Sequence, residues 1–353
     1  MRSIYDNWEY TETEADAFAG ANTPGGFCSS YDVIADERAL DRVYIIKGGA
    51  GTGKSTLMKN IAAAAEQNGA ECRYYLCGSD ADSLDCVVIN GRIAVLDGTA
   101  PHVREMKIPG ASSSVIDVTK YWNCTRLESC RTELEVHTAL KSAAYASCYR
   151  WLSAADAVHR ERLTLSGIIF DEEKARGYIT RFLGKLGKLQ AGKSCTLWSH
   201  AVTMKGRRQI GMTKTDRTFA VSDYYGTAPV FLNLLHRILT EKTIPHTTFR
   251  LPLTDTIASI VLEEAGVTVS AAVKEGTAVN MKRFVCAEIP DSVKGRIRLT
   301  GEITESCLCA AEGALHEAAE HHFALEELYK SAMDFKALRK YGDTVIREIL
   351  ARL

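Results

Sequence analysis

The chain of 353 residues carries 43 Lys and Arg against 44 Asp and Glu, and 46% of its residues are hydrophobic. These proportions are typical of a globular protein and exclude disordered, collagen-like and fibrous classes. A formal net charge of -1 provides no overall basic field, so binding of nucleic acid through the bulk charge of the fold is disfavoured, although a local basic stripe would still allow it. The sequence start lacks an apolar signal segment, and no apolar run approaches the roughly 20 residues that span a bilayer. We therefore predict a cytoplasmic protein without a membrane partner.

The eleven cysteines do not indicate a disulfide scaffold, because their number is odd and the chain is long. The closest pair, Cys307 and Cys309, has neither a second cysteine pair nor a His-x3-His segment after it. The sequence therefore predicts reduced thiols and no zinc site.

A glycine-rich segment early in the chain gives the main functional signal. An apolar run at residues 43–46 predicts a buried strand, and residues 55–67 place apolar side chains at helical spacing. Between them, GGAGTGKS at residues 48–55 satisfies the phosphate-loop pattern G-x-x-x-x-G-K-[ST] in the strand–loop–helix context that the pattern requires. The sequence therefore predicts a nucleotide site.

The residue types of this segment suit a triphosphate. Glycines let the backbone curl around phosphate oxygens, and the following helix directs free N–H groups at them. We expect Lys54 to contact the β- and γ-phosphates as a catalytic cation, and the Ser55 hydroxyl to hold Mg²⁺. The predicted nucleotide-binding residues are Gly48, Gly49, Ala50, Gly51, Thr52, Gly53, Lys54, Ser55 and Thr56.

A metal-side carboxylate is expected at the end of an apolar strand, and two aspartates compete for this role. Asp97 ends the run RIAVLD, whereas Asp171 follows IIF and precedes a segment with helical spacing. Asp171 is therefore predicted to cap a helix. Asp97 is predicted to be the catalytic and Mg²⁺-binding carboxylate, with a simple Asp-Gly turn as the alternative.

Three more aspartates follow a second predicted strand at residues 72–77. Asp80, Asp82 and Asp85 could hold a substrate hydroxyl, position a water or cap a helix together with Ser83, and capping is the simplest interpretation. Asn90-Gly91 between two apolar runs predicts a tight hairpin, so the sheet is not expected to be purely parallel.

Short segments recur in the same order roughly 170 residues apart, which indicates an internal duplication. The sequence from Asp41 matches DRTFAVSDYYGTAPVFL from Asp216, and residues 95–100 match residues 273–278. His159 followed by Asp171 likewise matches His322 followed by Asp334. We therefore predict two tandem α/β P-loop NTPase-like domains of RecA or kinase type, residues 1–190 and 191–353, with mostly parallel sheets and long helices at each C-terminal end.

The second copy of the phosphate loop is predicted to be degenerate. The match places Asp223, Ala228, Pro229 and Val230 where the first copy has its two motif glycines, lysine and serine. A carboxylate repels phosphate, and proline lacks an N–H donor. The second copy is therefore not expected to bind a nucleotide through this loop.

The chain resembles a family of bacterial tandem P-loop ATPase-like proteins, mostly from Firmicutes. The resemblance rests on residues 45–62, 79–89 and 96–103, on PGA at 109–111, YW at 121–122 and MDF at 333–335. It implies nucleotide binding at residues 48–56 and a functional place for Asp97, Thr99 and His102. In such proteins both halves commonly carry the lysine motif, so this chain departs from the pattern in its second half.

The leading hypothesis from the sequence is a Mg²⁺-dependent ATPase, with ATP or another nucleoside triphosphate and Mg²⁺ as cofactors. One alternative is a small-molecule or nucleotide kinase in which residues 79–85 and His102 form an acceptor pocket. Another is a non-catalytic module gated by nucleotide, with the second copy as a docking surface. Beyond the nucleotide, the partner is an unidentified small molecule or protein.

Overall fold

The computed structural model describes residues 3–101, 103–211 and 215–353, and it shows an α/β fold. The first half contains β1 (Glu9–Thr11), β2 (Ala17–Phe18), β3 (Gly20–Thr23), β4 (Gly26–Ser29), α1 (Tyr31–Ile34), β5 (Arg42–Lys47), α2 (Lys54–Gln67), β6 (Cys72–Leu76), β7 (Leu84–Ile89), β8 (Ile93–Asp97), β9 (Ser113–Asp117), α3 (Cys124–Ser129), α4 (Arg131–Ile169) and α5 (Glu172–Gly184). The second half contains β10 (Cys195–Trp198), β11 (His200–Thr203), β12 (Gly206–Ile210), β13 (Arg217–Ser222), α6 (Thr227–Glu241), β14 (Thr247–Arg250), β15 (Ile257–Leu262), β16 (Val267–Ser270), β17 (Thr277–Asn280), α7 (Asp291–Ser331) and α8 (Phe335–Leu350).

The order of elements repeats between the halves. The series from β2 through α2 to β9 has the same order as the series from β10 through α6 to β17. A long helix and a shorter one then follow in each half, α4 and α5 in the first and α7 and α8 in the second. The recurrence found in the sequence therefore coincides with a recurrence of structure.

One sheet joins the two halves. Twelve strands lie in the order β17-β13-β16-β15-β14-β10-β2-β6-β7-β8-β5-β9, so the second half mirrors the first about the β10–β2 pair. That central pair is antiparallel, with Trp198 opposite Phe18. The arrangement is a pseudo-twofold one. The sheet is mixed, with parallel pairs slightly more frequent than antiparallel ones, and it is compatible with a Rossmann-like or P-loop-like fold.

Strand β5 forms as the sequence predicts, because residues 43–46 are all buried and fill a position between two parallel neighbours. Ile46 pairs with Asp97 at the end of β8, and Lys47 pairs with Asp117 at the end of β9. The carboxyl ends of parallel strands meet at one sheet edge. The glycine loop after β5 therefore lies between two strand ends that each carry an aspartate.

The predicted hairpin is present between β7 and β8, which pair antiparallel. Asn90 has φ 51° and Gly91 has φ 63°, the left-handed values that a type I′ turn requires at both central positions. This hairpin brings β8 back beside β5. Asp97 consequently lies next to the glycine loop although 43 residues of sequence separate it from Lys54.

The long helices α4 and α7 pack against each other in opposite directions. His137 near the start of α4 contacts His321 near the end of α7, with the two Nδ1 atoms 3.1 Å apart. Glu161 near the end of α4 pairs with Arg296 near the start of α7 at 2.5 Å. The first part of α4 and the last part of α7 therefore lie over the same region.

The last helix of each half packs on the other half. Residues of α8 share a hydrophobic core with α2, and Gly342 approaches the Leu57 side chain closely. Residues of α5 share a second core with α6. The predicted boundary between residues 190 and 191 lies between α5 and β10, and apolar packing crosses it in both directions.

The structure also bears on the cysteines and on membrane crossing. All eleven cysteines are free thiols, as the sequence predicts. No helix within residues 3–101, 103–211 and 215–353 combines the length and the apolarity needed to cross a bilayer.

Candidate functional site

The loop from Gly48 to Gly53 turns the chain from β5 into α2. Gly51 has φ 65° and Gly53 has φ 85°, left-handed values that side chains with a Cβ rarely adopt. Gly53 is the N-cap of α2, so the first N–H groups of the helix point toward the loop. The predicted loop residues therefore form a backbone cradle with the positive end of a helix dipole beneath it.

The Lys54 side chain lies inside this cradle. Its ammonium donates a hydrogen bond to the carbonyl oxygen of Gly49 at 2.5 Å and lies 3.6 Å from the Asp97 carboxylate. The two side chains are only 11% and 13% exposed. The structure thus brings together the lysine and the aspartate that the sequence singles out.

Asp97 is held at the sheet edge by its neighbours. Its carboxylate accepts hydrogen bonds from the Thr99 amide at 2.9 Å and from the Thr99 hydroxyl. Burial raises the pKa of the Asp97 carboxyl, and the Lys54 ammonium opposes this rise. Thr99 therefore lies at the site as a positioning residue for Asp97. His102, the other residue implied by the resemblance, lies outside the described residues.

The metal-side residues have oxygen atoms available. The Ser55 hydroxyl accepts a hydrogen bond from the Leu84 amide at 2.9 Å and retains a further lone pair. Within the part of the chain that the structure describes, no group of three or more His, Cys, Asp or Glu side chains could hold a metal ion. A magnesium ion here would therefore need oxygens from a bound phosphate and water besides Ser55 and Asp97, which is the usual habit of Mg²⁺.

The aspartates after β6 do not cap a helix, contrary to the simplest interpretation of the sequence, because the chain continues directly into β7 at Leu84. Asp80 accepts a hydrogen bond from the Ser83 hydroxyl at 2.7 Å and pairs with Lys205 at 2.9 Å. Asp82 pairs with the same lysine at 2.5 Å. Since Lys205 lies in the β11–β12 turn, this loop is fastened to the second half of the chain.

Asp85 lies in β7 and is buried rather than exposed to a pocket. Its charge contributes to raising the pKa of Asp97, so the two carboxyl groups are close. The Tyr31 hydroxyl donates to the backbone oxygens of Asp85 and Asp97 at 3.1 Å and 2.9 Å and joins the two strands. Of the three additional aspartates, Asp85 is therefore the one near the Lys54–Asp97 pair.

The second half of the chain covers the loop, a feature that the sequence does not predict. A methyl group on Gly51 would lie 3.0 Å from the Glu326 backbone in α7, and one on Gly49 would lie 3.3 Å from the Tyr329 ring. Glu326 pairs with Lys330 at 3.0 Å and with His322 at 3.4 Å. The histidine-rich stretch of α7 is visible in the sequence, but its position over the loop depends on long-range packing.

The loop between β13 and α6, which corresponds to the glycine loop of the first half, is shorter than the sequence match between the halves assumes. It extends from Asp223 to Gly226, and Gly226, with φ 73°, is the N-cap of α6 as Gly53 is the N-cap of α2. Thr227 is therefore the structural counterpart of Lys54. The predicted equivalence of Lys54 with Pro229 is wrong, because it ignores this shortening.

A carboxylate of the chain itself occupies the N-terminus of α6. Asp223 accepts a hydrogen bond from the Ala228 amide at 3.0 Å, and its other oxygen lies 3.9 Å from the Arg162 guanidinium. The Ala228 amide and the Arg162 guanidinium are the groups that a bound anion would contact at this position. In the second loop the Asp223 carboxylate already contacts them.

The second half also lacks a counterpart of Asp97. Ala220 of β13 pairs with Ser270, so the next residue, Ala271, takes the place that Asp97 takes beside β5. The predicted match of residues 95–100 with 273–278 is wrong, because it aligns Asp97 at the end of β8 with Glu275, whereas β16 already ends at Ser270. The lysine and the carboxylate are thus both missing from the second half.

Comparisons with known proteins identify no relative: no protein-family model matches the chain, and no curated protein and no solved structure matches it. The chemistry of the site therefore has to be argued from its own residues.

Proposed function

We propose that the loop of residues 48–56 binds a nucleoside triphosphate, ATP, together with Mg²⁺, and that the protein hydrolyses it. The observation that carries this proposal is the position of Lys54, which lies between a left-handed glycine loop at a helix N-terminus and the carboxylate of Asp97. A buried ammonium beside the backbone N–H groups of a glycine loop and a helix N-terminus suits a ligand with several negative charges.

Each residue of the site would have a separate role in phosphoryl transfer. Lys54 would exchange its contact with the Gly49 carbonyl for the β- and γ-phosphate oxygens. Ser55 and Asp97 would hold Mg²⁺ directly or through water, and the ion would neutralise charge on the same phosphates. Thr99 would keep the Asp97 carboxylate aimed at the ion.

The repeated order of elements supports a second part of the proposal. We infer that the two halves are tandem P-loop domains and that the second has lost its nucleotide site. The support is the internal carboxylate of Asp223 at the N-terminus of α6 and the presence of Thr227 and Ala271 where the first half has Lys54 and Asp97.

The test is a calorimetric titration with Mg²⁺ and a non-hydrolysable ATP analogue, combined with an assay of phosphate release from ATP. Lys54→Ala should weaken binding of the analogue about 100-fold and abolish release, because it removes the charge in the loop. Lys59→Ala is the matched control, since Lys59 lies on α2 but contacts only the Asp82 carbonyl in the described structure. Equal binding by the wild-type protein and Lys54→Ala would overturn the proposal.

A non-catalytic module gated by nucleotide is the second candidate, and the cover of the loop by α7 favours it. A ligand that moves the loop at Gly51 would press on Glu326, and α7 would pass the displacement to α4. Tight binding of MgATP with negligible phosphate release would identify this function. The kinase alternative has less support, because Lys205 already engages Asp80 and Asp82 of the supposed acceptor pocket.

A further inference from the structure

The first part of α4 presents one face to the loops of the first half. The Tyr149 hydroxyl donates to the side chain of Asn22 at 3.2 Å, and the Tyr145 ring packs against the Tyr149 ring, with the ring centroids 6.2 Å apart. Nearer the start of the helix, His137 contacts His321 of α7. Residues spaced by four share a helix face. Lys141 lies on this face, between His137 and Tyr145.

Lys141 is a partly buried cation whose ammonium, among the described residues, forms no hydrogen bond and no ion pair. His321, which contacts His137, precedes the turn of α7 where the Glu326 backbone lies over Gly51, so the first part of α4 lies beside the glycine loop. Consistently, burial and the ammonium of Lys54 both lower the pKa of Lys141. Lys54 is paired with the Asp97 carboxylate, whereas Lys141 has no carboxylate partner of its own among the described residues.

We propose that Lys141 is a second phosphate-binding cation of this site and contacts the terminal phosphate of the bound nucleoside triphosphate. The inference rests on the proposed function. Lys54 would approach the phosphates from the glycine loop, whereas Lys141 belongs to the first part of α4, which packs on the end of α7 that covers this loop. The terminal phosphate is the group that both cations can share, and it carries the charge that grows during transfer to water.

The second half supplies an internal comparison. Asp171 caps α5 and Asp334 caps α8, so these two residues align the long helices that precede them. Counting back equally from the two caps places Thr304 at the position of Lys141. The half that lacks Lys54 and Asp97 therefore also lacks this lysine, as expected if the three residues serve one ligand.

The experiment compares two nucleotides in the full chain. Lys141→Gln should weaken binding of a non-hydrolysable ATP analogue with Mg²⁺ at least tenfold and change the affinity for MgADP less than twofold, because only the analogue carries the terminal phosphate. Phosphate release should fall about 100-fold. Lys141→Arg should retain most of the affinity for the analogue. Arg150→Gln, which removes an exposed cation from the same helix, should match the wild-type protein.

The outcomes separate this inference from the function on which it rests. If the wild-type protein binds neither nucleotide, the proposed function and the role of Lys141 both fail. If the wild-type protein binds the analogue and Lys141→Gln binds it equally well, only the role of Lys141 fails. Equal losses for MgADP and the analogue would indicate a structural role and would also overturn the inference. Lys141→Met, which preserves the apolar stem, repeats the test if the glutamine variant does not fold.

Discussion

The ammonium of Lys54 and the carboxylate of Asp97 lie 3.6 Å apart in a largely buried pair. The lysine begins α2 and the aspartate ends β8, so the pair joins the helix to the strand beside β5. Burial favours the neutral form of Asp97, and Lys54 favours the charged form. A ligand phosphate that draws Lys54 away would leave the carboxylate in need of another cation, and Mg²⁺ would meet that need.

Asp97→Asn should reduce phosphate release from ATP about 100-fold and remove its dependence on Mg²⁺, because an amide is a poor ligand for this ion. Binding of the non-hydrolysable analogue should change less than tenfold, since the loop and Lys54 remain. Phosphate release measured over a range of Mg²⁺ concentrations tests this expectation.

Asp171→Ala is the control for Asp97→Asn, because Asp171 is the other carboxylate that the sequence offers for the metal-side role. The Asp171 side chain accepts a hydrogen bond from the Lys174 amide at the start of α5, so its loss should lower the free energy of unfolding by about 1 kcal/mol. The nucleotide response should not change. If Asp171→Ala removed the Mg²⁺ dependence and Asp97→Asn did not, the choice of carboxylate would be wrong.

Glu326 should make stability depend on acid pH. Hydrogen bonding from His322 and Lys330, against the opposing effect of burial, lowers the pKa of the Glu326 carboxyl to about 2. The folded-state value thus lies below that of the unfolded chain, so this contribution to stability is present above about pH 4.5 and is lost as the pH falls toward 2. Glu326→Gln should lower the free energy of unfolding by about 1 to 2 kcal/mol at pH 6, and the difference should shrink toward pH 3.

Urea unfolding at several pH values measures this difference. Glu327→Gln is the control, because Glu327 also contacts Lys330, at 3.1 Å, but is 76% exposed. Its effect should stay within about 0.5 kcal/mol at every pH. A difference for Glu326→Gln that did not vary with pH would contradict the assignment of the effect to the ionised carboxylate.

Gly51→Ala should destabilise the protein by about 2 to 4 kcal/mol. The alanine would be held in a left-handed conformation, and its methyl group would press on the Glu326 backbone at 3.0 Å. Gly69→Ala shares the left-handed backbone, with φ 82°, but meets nothing within 4 Å, so it should cost only about 1 kcal/mol. Equal losses in thermal or urea unfolding would show that α7 does not press on the loop.

The chain should bind about one nucleotide. The second loop carries its own carboxylate, and Thr227 replaces the lysine, so titration with the non-hydrolysable analogue should saturate near one equivalent. Binding of two equivalents of the analogue, with the second lost on changing Asp223 or Arg162, would contradict the conclusion that the Asp223 carboxylate takes the place of a phosphate in this loop. Restoring a second site would require a longer loop in place of residues 223–226 as well as Thr227→Lys.

The sequence predicts those parts of the site that depend on local pattern. The buried strand, the glycine loop, the β7–β8 hairpin and the cap at Asp171 follow from residue types within a few positions of each other. Asp97 is also predicted correctly as the end of a strand, because an apolar run before a carboxylate is a local signal. The roles of these residues in catalysis stay predictions.

The remaining parts depend on contacts between distant segments. The position of Glu326 over Gly51 and that of Lys205 beside Asp80 each require the two halves to pack in one particular way. The sequence also does not show that the second loop is shorter. Gly226-Thr227 has the same residue types as Gly51-Thr52, so an alignment by sequence pairs Gly226 with Gly51 instead of Gly53. Only the left-handed N-cap of α6 shows that Gly226 corresponds to Gly53.

Because α5 packs on the second half and α8 on the first, we expect the two halves to stay together even when the covalent link between them is cut. Residues 190–194 between α5 and β10 are exposed, and a protease could cut there without touching either hydrophobic core. Each fragment would still carry the helix that covers the other, so the fragments should remain associated and unfold in a single transition. The two halves are thus arranged like the subunits of a twofold dimer that are joined in one polypeptide.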